Sequence, residues 1–293
     1  MVFMSAIIRL LRPGQWLKNT FVFMPLVFSQ HLFHTDFYSR ALLAFAAFCL
    51  ASSSIYIIND IVDREADRLH PKKKMRPIAS GEVSVLAGVL IAIILLTTSI
   101  LLTLLLSSTF LGIILLYIVL QLFYSFKLKQ IVIVDVFVIA MGFMLRVLGG
   151  AIAINVLISH WIVLTTLFLS LFLAISKRRS ELIMIQSLNI VTKRKVLTEY
   201  DVNFLNQILI ITATGMAISY SLYTMADRTI AMFNSEYLIF TTVFVLFGIF
   251  RYLFLVLNKG EGENPTAILM KDIPTAVNFL LWITACIIII YFH

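Results

Sequence analysis

Nine long apolar runs follow one another along the chain, separated by short polar stretches. They cover approximately residues 16–35, 40–60, 83–106, 110–126, 131–154, 157–176, 202–225, 236–257 and 273–292. A helix needs roughly 20 apolar residues to cross the hydrocarbon core of a bilayer. The pattern therefore predicts an all-α, polytopic membrane protein with nine transmembrane helices. Because no hydrophilic domain interrupts the runs, we expect residues 1–293 to form a single integral-membrane domain.

The composition excludes a soluble enzyme. Hydrophobic residues make up 61% of the 293 residues and charged residues only 13%, whereas soluble domains are about half apolar and a quarter charged. Cys49 and Cys286 both lie inside apolar runs, where we expect them to pack as small residues rather than form a disulfide. We expect the net charge of +8 to reflect membrane topology, so nucleic acid is not an expected partner.

Basic residues are divided very unevenly between the two sides that nine spans would create. Twenty of the 23 lysines and arginines fall on the side of the N-terminus, only Arg40 and Arg228 fall on the other, and Arg146 lies within a span. Cytoplasmic loops carry an excess of Lys and Arg. The N-terminus is therefore predicted to be cytoplasmic and the C-terminus external.

The second apolar run ends in a group of acidic residues. If its helix continues, Asp60, Asp63 and Asp67 lie on one face, with Asn59 one turn behind Asp63 and Glu65 on the opposite face. Carboxylates arranged in this way repel one another unless a cation compensates. Mg²⁺ is typically bound by one or two carboxylates together with substrate phosphates. The spacing favours a Mg²⁺ site at Asp60, Asp63 and Asp67; the alternative is a solvated helix end.

A basic loop follows these acids. It contains prolines, a glycine and four cations, namely Lys72, Lys73, Lys74 and Arg76. Cations beside carboxylates predict a polyphosphate site, with metal on one side and Lys or Arg on the other. Each lysine has the alternative of being plain topological charge, whereas Arg76, between Met75 and Pro77, is the stronger candidate. His70 is expected to be structural.

Residues 59–67 form the pattern Asn-Asp-x-x-Asp-x-x-x-Asp, and residues 76–81 read Arg-Pro-Ile-Ala-Ser-Gly. This combination resembles the UbiA superfamily of intramembrane prenyltransferases, which implies a nine-helix UbiA-type bundle. Aromatic prenyltransferases of that family carry a second motif, Asp-x-x-x-Asp. Here the corresponding region has only Asp135, with Ile131 and Ile139 at the flanking positions. A second acidic pair is therefore absent, and lysines precede the lone Asp.

Three further segments resemble the decaprenyl-phosphate phosphoribosyltransferase branch of the superfamily. They are residues 12–19, residues 176–182, and Arg251-Tyr252 followed by 260–265 and Asp272. The resemblance implies a transferase that moves 5-phosphoribose from phosphoribosyl diphosphate to a polyprenyl phosphate and releases diphosphate. It further implies Mg²⁺ as cofactor and a product used for arabinose-containing wall polymers.

The resemblance and the residue types together suggest substrate contacts. Asn59 would hydrogen-bond the ribose or a phosphate. The candidates for the 5-phosphate and the lipid phosphate are Lys18, Arg76, Tyr124, Lys129, Lys177 and Arg178, with Asp135 beside them. No general base is expected, because the attacking phosphate oxygen is already anionic near neutral pH. Arg146 has two open interpretations, namely binding substrate phosphate or pairing with another helix.

The expected partners are phosphoribosyl diphosphate, polyprenyl phosphate and the lipid bilayer of the plasma membrane, with the site on the cytoplasmic face. A homo-oligomer is left open. Two other functions compete. One is a UbiA-type aromatic-acceptor prenyltransferase that uses a polyprenyl diphosphate, against which the missing second acidic pair argues. The other is a lipid-phosphate transporter, but transporters tend to place charged sites near the bilayer midplane, whereas these acids lie at one membrane face.

Overall fold

The computed structural model describes residues 2–69, 73–188, 196–262, 268 and 271–292. Within these residues every regular element is helical, which confirms the all-α prediction. The α-helices are α1 (Val2–Leu11), α2 (Met24–Val27), α3 (Thr35–Val62), α4 (Arg64–Arg68), α5 (Pro77–Ser80), α6 (Val85–Leu104), α7 (Ser108–Phe126), α8 (Val134–Ala153), α9 (His160–Leu188), α10 (Val196–Glu199), α11 (Val202–Met225), α12 (Asp227–Phe233), α13 (Thr242–Asn258) and α14 (Ile273–Tyr291). Of the residues discussed above, His70, Lys72 and 263–265 lie outside the described part.

Eight helices in the described part of the chain are long and apolar enough to cross a membrane. They coincide with the second to ninth predicted runs to within several residues, except that α9 continues to Leu188, well beyond the predicted end at 176. The first run, 16–35, contains a 3₁₀-helix (Pro13–Phe23) and the short helix α2 instead of one long helix. Pro25 lies in the first turn of α2, and a proline has no N–H to continue a preceding helix. The count of nine spans and the cytoplasmic N-terminus stay predictions.

The chain forms two compact units. The first comprises Met1–Phe126 with Leu145–Leu157, and the second comprises Lys127–Met144 with Ile158–His293. The boundary falls within α8, so each unit takes one part of this helix. That the whole chain acts as one transferase domain remains a prediction.

Helix α3 packs closely against its neighbours in the first unit because most of its buried residues are alanine or serine. Ser54 Oγ donates to Ala92 O over 2.9 Å, and Ser99 Oγ donates to Ala47 O over 2.8 Å. Small side chains let helix backbones approach closely in a membrane, and the two hydroxyls are satisfied by carbonyls of the facing helix. This packing fixes the end of α3 that carries the acidic residues.

Helix α8 also approaches its neighbours closely through glycine. A Cβ atom at Gly150 would lie 2.1 Å from Val22 O, whereas one at Gly112 on α7 would meet nothing within 4 Å. We expect Gly150→Ala to destabilise the protein by about 1–3 kcal/mol, because the added methyl group overpacks the contact. The thermal midpoint of unfolding in detergent should fall relative to Gly112→Ala. An equal or higher midpoint for Gly150→Ala would contradict this packing.

The second unit has its own core, built mainly by α9 and α11. A Cβ atom at Gly215 would lie 2.5 Å from Phe168 Cε1, so glycine permits this close helix contact. The buried Arg179 of α9 donates to Asn206 Oδ1 over 2.6 Å and to Val256 O over 2.8 Å. The second unit therefore holds a buried cation through neutral acceptors on α11 and α13.

Candidate active site

Asp60 lies in the last turn of α3 and is buried. Its Oδ1 atom accepts hydrogen bonds from Arg12 Nη2 at 2.5 Å and from Arg76 Nη1 at 3.1 Å. Arg76 Nη1 also donates to Asp67 Oδ2 over 2.6 Å. Arg12, Asp60, Asp67 and Arg76 thus form one connected group, here called the acid–arginine cluster.

The helix does not continue without interruption through the acidic residues, because α3 ends at Val62 and α4 begins at Arg64. Negative charge is unfavourable at a helix C-terminus, which is consistent with α3 ending among its carboxylates. Helical hydrogen bonds nevertheless bridge the interruption, since Asp63 N donates to Asn59 O and Asp67 N donates to Asp63 O, over 2.9 and 2.8 Å. The acids therefore keep nearly helical spacing, and Asp60 and Asp67 share Arg76.

The other two acids of this segment differ from Asp60 and Asp67. Asp63 is partly exposed at the junction of α3 and α4. Glu65 is exposed and pairs with Arg68, whose Nη1 lies 3.2 Å from Glu65 Oε1. The expectation that Glu65 lies away from the other acids is met.

Local sequence directs Arg76 toward the carboxylates. Arg76 has extended backbone angles, φ −66° and ψ 140°, as expected for a residue that precedes proline. Pro77 begins α5, and Gly81 ends it in the left-handed conformation, with φ 84°. Arg68 Nε donates to Ala79 O over 3.1 Å, which ties α4 to α5. Pro77 and Gly81 therefore shape the described part of this loop, as its sequence suggested.

Arg146 is a buried cation of the first unit. Its Nε donates to Asn19 Oδ1 over 2.6 Å, and its Nη2 donates to Tyr117 Oη over 2.9 Å. Lys18 lies within electrostatic range of both Arg12 and Arg146. Two interpretations of Arg146 were open. Its hydrogen bonds to Asn19 and Tyr117 show that it pairs with neighbouring segments.

A second polar group lies in the other unit, around Asp135 in the first turn of α8. Arg178 Nε donates to Asp135 Oδ2 over 2.5 Å, and Tyr200 Oη donates to Asp135 Oδ1 over 2.7 Å. Arg178 Nη1 also donates to Glu181 Oε2 over 2.5 Å. We call Asp135, Arg178, Glu181 and Tyr200 the Asp135 network. Burial and the hydrogen bond to Asp135 raise the pKa of Tyr200, so its hydroxyl stays a proton donor at neutral pH.

The remaining predicted substrate contacts are partly exposed. Lys177 Nζ lies 3.9 Å from Glu181 Oε1, at the edge of the Asp135 network. Lys129 belongs to the 3₁₀-helix Leu128–Gln130 of the second unit. Tyr124 lies in the last turn of α7, in the first unit, within electrostatic range of Tyr56. The structure therefore places Lys18, Asn59 and Tyr124 in the unit of the acid–arginine cluster, and Lys129 and Lys177 in the unit of the Asp135 network.

An ion pair also joins α13 to the start of α14. Arg251 donates to both oxygens of Asp272, over 3.0 and 2.7 Å, and Thr275 N–H donates to the same carboxylate. These hydrogen bonds hold the pKa of Asp272 well below its usual range. Ser176 and Tyr252, from two of the segments noted in the sequence, form a hydrogen bond of 3.1 Å.

Comparison with known proteins identifies the family. A model of the UbiA prenyltransferase family matches residues 20–283. The chain belongs to the UbiA prenyltransferase family. A solved UbiA homolog from Archaeoglobus fulgidus, bound to DMAPP and Mg²⁺, superposes with a TM-score of 0.73 at 20% identity and covers 97% of this chain and 98% of that chain. The predicted UbiA-type architecture is thereby confirmed.

Two curated relatives define the branch of this UbiA-family protein. The decaprenyl-phosphate phosphoribosyltransferase of Mycolicibacterium smegmatis is 33% identical, over 98% of this chain and 93% of that protein. The decaprenyl-phosphate phosphoribosyltransferase of Corynebacterium glutamicum is 32% identical, over 98% of this chain and 87% of that protein. The chain therefore lies in the branch of the UbiA family that contains these transferases, as the sequence motifs indicated.

The acid–arginine cluster has donor atoms suited to a hard divalent cation. Asp60 Oδ2 is buried and accepts no hydrogen bond within the described part of the chain. Residues 2–69, 73–188 and 196–262, with 268 and 271–292, contain no preassembled group of three or more His, Cys, Asp or Glu that would hold a metal. One or two carboxylates suffice for Mg²⁺ when substrate phosphates complete its coordination, so the residues fit such a shared site in this UbiA-family protein.

Arg12 belongs to the site, although the sequence pattern did not predict it there. Arg12 was placed among the topological charges and in the segment 12–19, with no site role of its own, yet it is bonded to the same Asp60 oxygen as Arg76. One signal was available, since both arginines directly precede a proline, Pro13 or Pro77. Their convergence on one carboxylate depends on the packing of α1 against α3 and α5, which the sequence pattern alone does not give.

Proposed function

We propose that this UbiA-family protein transfers 5-phosphoribose from phosphoribosyl diphosphate to a polyprenyl phosphate of the decaprenyl type and releases diphosphate. The observation that carries the proposal is its 33% identity, over 98% of the chain, to a decaprenyl-phosphate phosphoribosyltransferase. The reaction would take place at the cytoplasmic face of the plasma membrane. The product would serve the synthesis of arabinose-containing wall polymers.

The charge of the first unit supports a phosphorylated, water-soluble donor. Arg12 and Arg76 are bonded to the carboxylates of the acid–arginine cluster, and Lys18 lies within electrostatic range of both Arg12 and Arg146. Two of these four cations contact the two buried carboxylates, so the group as a whole carries an excess of positive charge. Phosphoribosyl diphosphate carries a diphosphate at C1 and a phosphate at C5, so it suits a site with this excess.

We infer that Asp60, Asp63 and Asp67 hold Mg²⁺ together with the diphosphate of the donor. The buried, unbonded Oδ2 of Asp60 supports this assignment, as does the presence of Mg²⁺ in the structurally similar UbiA homolog. When bound, Mg²⁺ would neutralise charge that develops on the departing diphosphate. Arg76 would hold Asp60 and Asp67 in place, and Asn59 would hydrogen-bond the ribose or a phosphate.

The proposed reaction needs no general base in the protein. A phosphate oxygen of the lipid attacks C1 of the ribose, the C1–O bond to diphosphate breaks, and the diphosphate leaves with the bonding electron pair. Because the lipid phosphate is already anionic near neutral pH, no proton has to be removed from it. Direct in-line displacement inverts C1 and gives a β-linked product.

The Asp135 network suggests different roles for the candidates of the second unit. Both oxygens of Asp135 accept hydrogen bonds from protein groups, and the Arg178 side chain is only 2% exposed. We therefore infer that Asp135 and Arg178 position α8 and α9 rather than contact substrate directly. Tyr124, Lys129 and Lys177 remain candidates for phosphate contacts, because all three are partly exposed.

The proposal is tested by following labelled ribose into lipid. Purified protein in detergent is supplied with phosphoribosyl diphosphate labelled in the ribose, decaprenyl phosphate and Mg²⁺. We expect label to enter the organic phase, and we expect EDTA to abolish its transfer. Absence of lipid-linked label from protein that is folded and supplied with Mg²⁺ would contradict the proposal.

Lys129→Ala is expected to lower kcat/KM for phosphoribosyl diphosphate by about ten- to a hundredfold. Loss of a charge-assisted hydrogen bond to phosphate typically has an effect of this size. Lys127→Ala provides the matched control, because Lys127 is exposed two residues away, and it should retain wild-type kinetics. Equal effects of the two substitutions would show that Lys129 contributes only general positive charge.

A further inference from the structure

The fold holds the backbone of Arg12 in one place. Arg12 directly follows α1, and Ser53 Oγ donates to Leu11 O over 2.8 Å. On the other side, Gln15 N donates to Arg12 O over 2.8 Å. Arg12 itself is left-handed, with φ 54° and ψ 59°, a conformation that is uncommon for residues other than glycine and is often found at functional sites. The backbone is therefore fixed so that the side chain reaches Asp60.

The contacts of Arg12 allow its guanidinium to leave Asp60 for another anion. Arg12 and Arg76 both donate to Oδ1 of Asp60, while Oδ2 accepts no bond in the described part of the chain. Arg76 has a second carboxylate, Asp67, as partner. Two like charges on one oxygen repel each other, so Arg12 is the more easily displaced of the two.

The exposure of the side chains points in the same direction. The Arg12 side chain is 24% exposed, whereas that of Asp60 is 2% exposed. The guanidinium of Arg12 also lies 5.1 Å from the centre of the Tyr56 ring, which stabilises the cation through its π face. An anion approaching from the open side would therefore meet the guanidinium of Arg12 before the carboxylate of Asp60.

We propose that Arg12 is a phosphate-binding residue that occupies Asp60 until the donor binds. On binding, the Arg12 guanidinium moves from Asp60 to the diphosphate, which removes one positive charge from the carboxylate that binds the divalent cation. Guanidinium groups pair with phosphate through two parallel hydrogen bonds, so the exchange replaces one charge-assisted contact by another. The identity of the donor's sugar rests on the proposed function. The binding of a diphosphate rests on the contacts of the acid–arginine cluster.

The proposal couples the binding of cation and diphosphate. While Arg12 is bonded to Oδ1 of Asp60, its positive charge opposes a divalent cation at Oδ2 of the same carboxylate, so the cation alone binds weakly. Removing Arg12 should therefore strengthen binding of the cation alone and weaken binding of the diphosphate. A residue with a purely structural role would not move the two affinities in opposite directions, because its loss disturbs both ligands.

The experiment uses purified full-length protein in detergent, with Mn²⁺ as the cation and inorganic pyrophosphate as the anion. Mn²⁺ binding without pyrophosphate is measured by electron paramagnetic resonance, and pyrophosphate binding with Mg²⁺ by calorimetry. For Arg12→Gln we expect Mn²⁺ affinity to rise about tenfold and pyrophosphate affinity to fall about ten- to a hundredfold. Arg9→Gln is the control, since Arg9 lies on α1 and pairs with Glu82, and it should change neither affinity.

Loss of both affinities in Arg12→Gln, or no change in either, would overturn the proposal. A second measurement uses wild-type protein, so it is informative even if the Arg12→Gln variant does not fold. Wild-type protein is treated with phenylglyoxal, and modified arginines are mapped by mass spectrometry. Pyrophosphate with Mg²⁺ should abolish modification of Arg12 and leave that of Arg9 unchanged; equal modification of Arg12 with and without pyrophosphate would overturn the proposal.

These measurements are separable from the test of the proposed function. If the protein proved to use a polyprenyl diphosphate, the ribose transfer assay would fail, whereas the opposite changes in Mn²⁺ and pyrophosphate affinity would still be observed. If ribose transfer occurred but Arg12→Gln weakened both ligands, the function would stand and the role of Arg12 would be wrong.

Discussion

Replacing Asp60 by Asn is expected to lower kcat at least about a hundredfold. The substitution removes the charge that Arg12 and Arg76 share at Oδ1, together with the buried Oδ2 atom that we assign to Mg²⁺. Loss of one group that stabilises charge in a transition state commonly has an effect of about this size. Transfer of labelled ribose to lipid by purified protein, with the protein shown to be folded in detergent, measures the change.

Glu65→Gln is the matched control for Asp60→Asn. Glu65 is also a carboxylate of the same segment, but it is exposed and bonded to Arg68. We expect this variant to keep most of its activity. An inactive Glu65→Gln together with an active Asp60→Asn would show that the acid–arginine cluster is not where the reaction takes place.

Replacing Arg178 by Met is expected to destabilise the protein by about 3–5 kcal/mol. Asp135 is fully buried, and Arg178 is its cationic partner at 2.5 Å. Removing one partner of a buried ion pair leaves an uncompensated charge in a medium of low dielectric constant, which is the origin of this cost. Chemical denaturation in mixed micelles, or the thermal midpoint in detergent, measures the loss of stability.

Two comparisons separate a structural role of Arg178 from substrate binding. Lys177→Met, one residue away and partly exposed, should unfold at nearly the same midpoint as wild type. The double variant Asp135→Leu with Arg178→Met should be more stable than Arg178→Met alone, because no buried charge remains. If Arg178→Met kept wild-type stability and raised only the KM for phosphoribosyl diphosphate, Arg178 would be a substrate contact, as the sequence first suggested.

The helices could be predicted from the sequence because apolar runs of about 20 residues have few structural alternatives in a bilayer. The runs from 40–60 to 273–292 coincide with long helices. The run 16–35 was less informative, since a proline interrupts it and its hydropathy does not distinguish one long helix from a 3₁₀-helix followed by α2. Hydropathy measures burial in lipid, not the backbone hydrogen-bond pattern.

The candidate site could be predicted only in part. Helical spacing predicted that Asp60 and Asp67 lie close together, and both are bonded to Arg76, the residue before Pro77, because these positions depend on local geometry. The pairing of Arg12 with Asp60 joins residues 48 positions apart, and the pairing of Arg178 with Asp135 joins residues 43 positions apart. Such pairs follow from helix packing, so a pattern within one segment does not reveal whether a cation meets a carboxylate or a substrate phosphate.

A donor competition shows which substrate carries the diphosphate. Purified wild-type protein with Mg²⁺ receives phosphoribosyl diphosphate, polyprenyl phosphate, polyprenyl diphosphate and an aromatic acceptor together, and lipid products are identified by mass spectrometry. We predict a polyprenyl phosphate that carries 5-phosphoribose, with the polyprenyl diphosphate unconsumed. Prenylation of the aromatic acceptor, with phosphoribosyl diphosphate left intact, would contradict the proposed function and leave the UbiA fold unaffected.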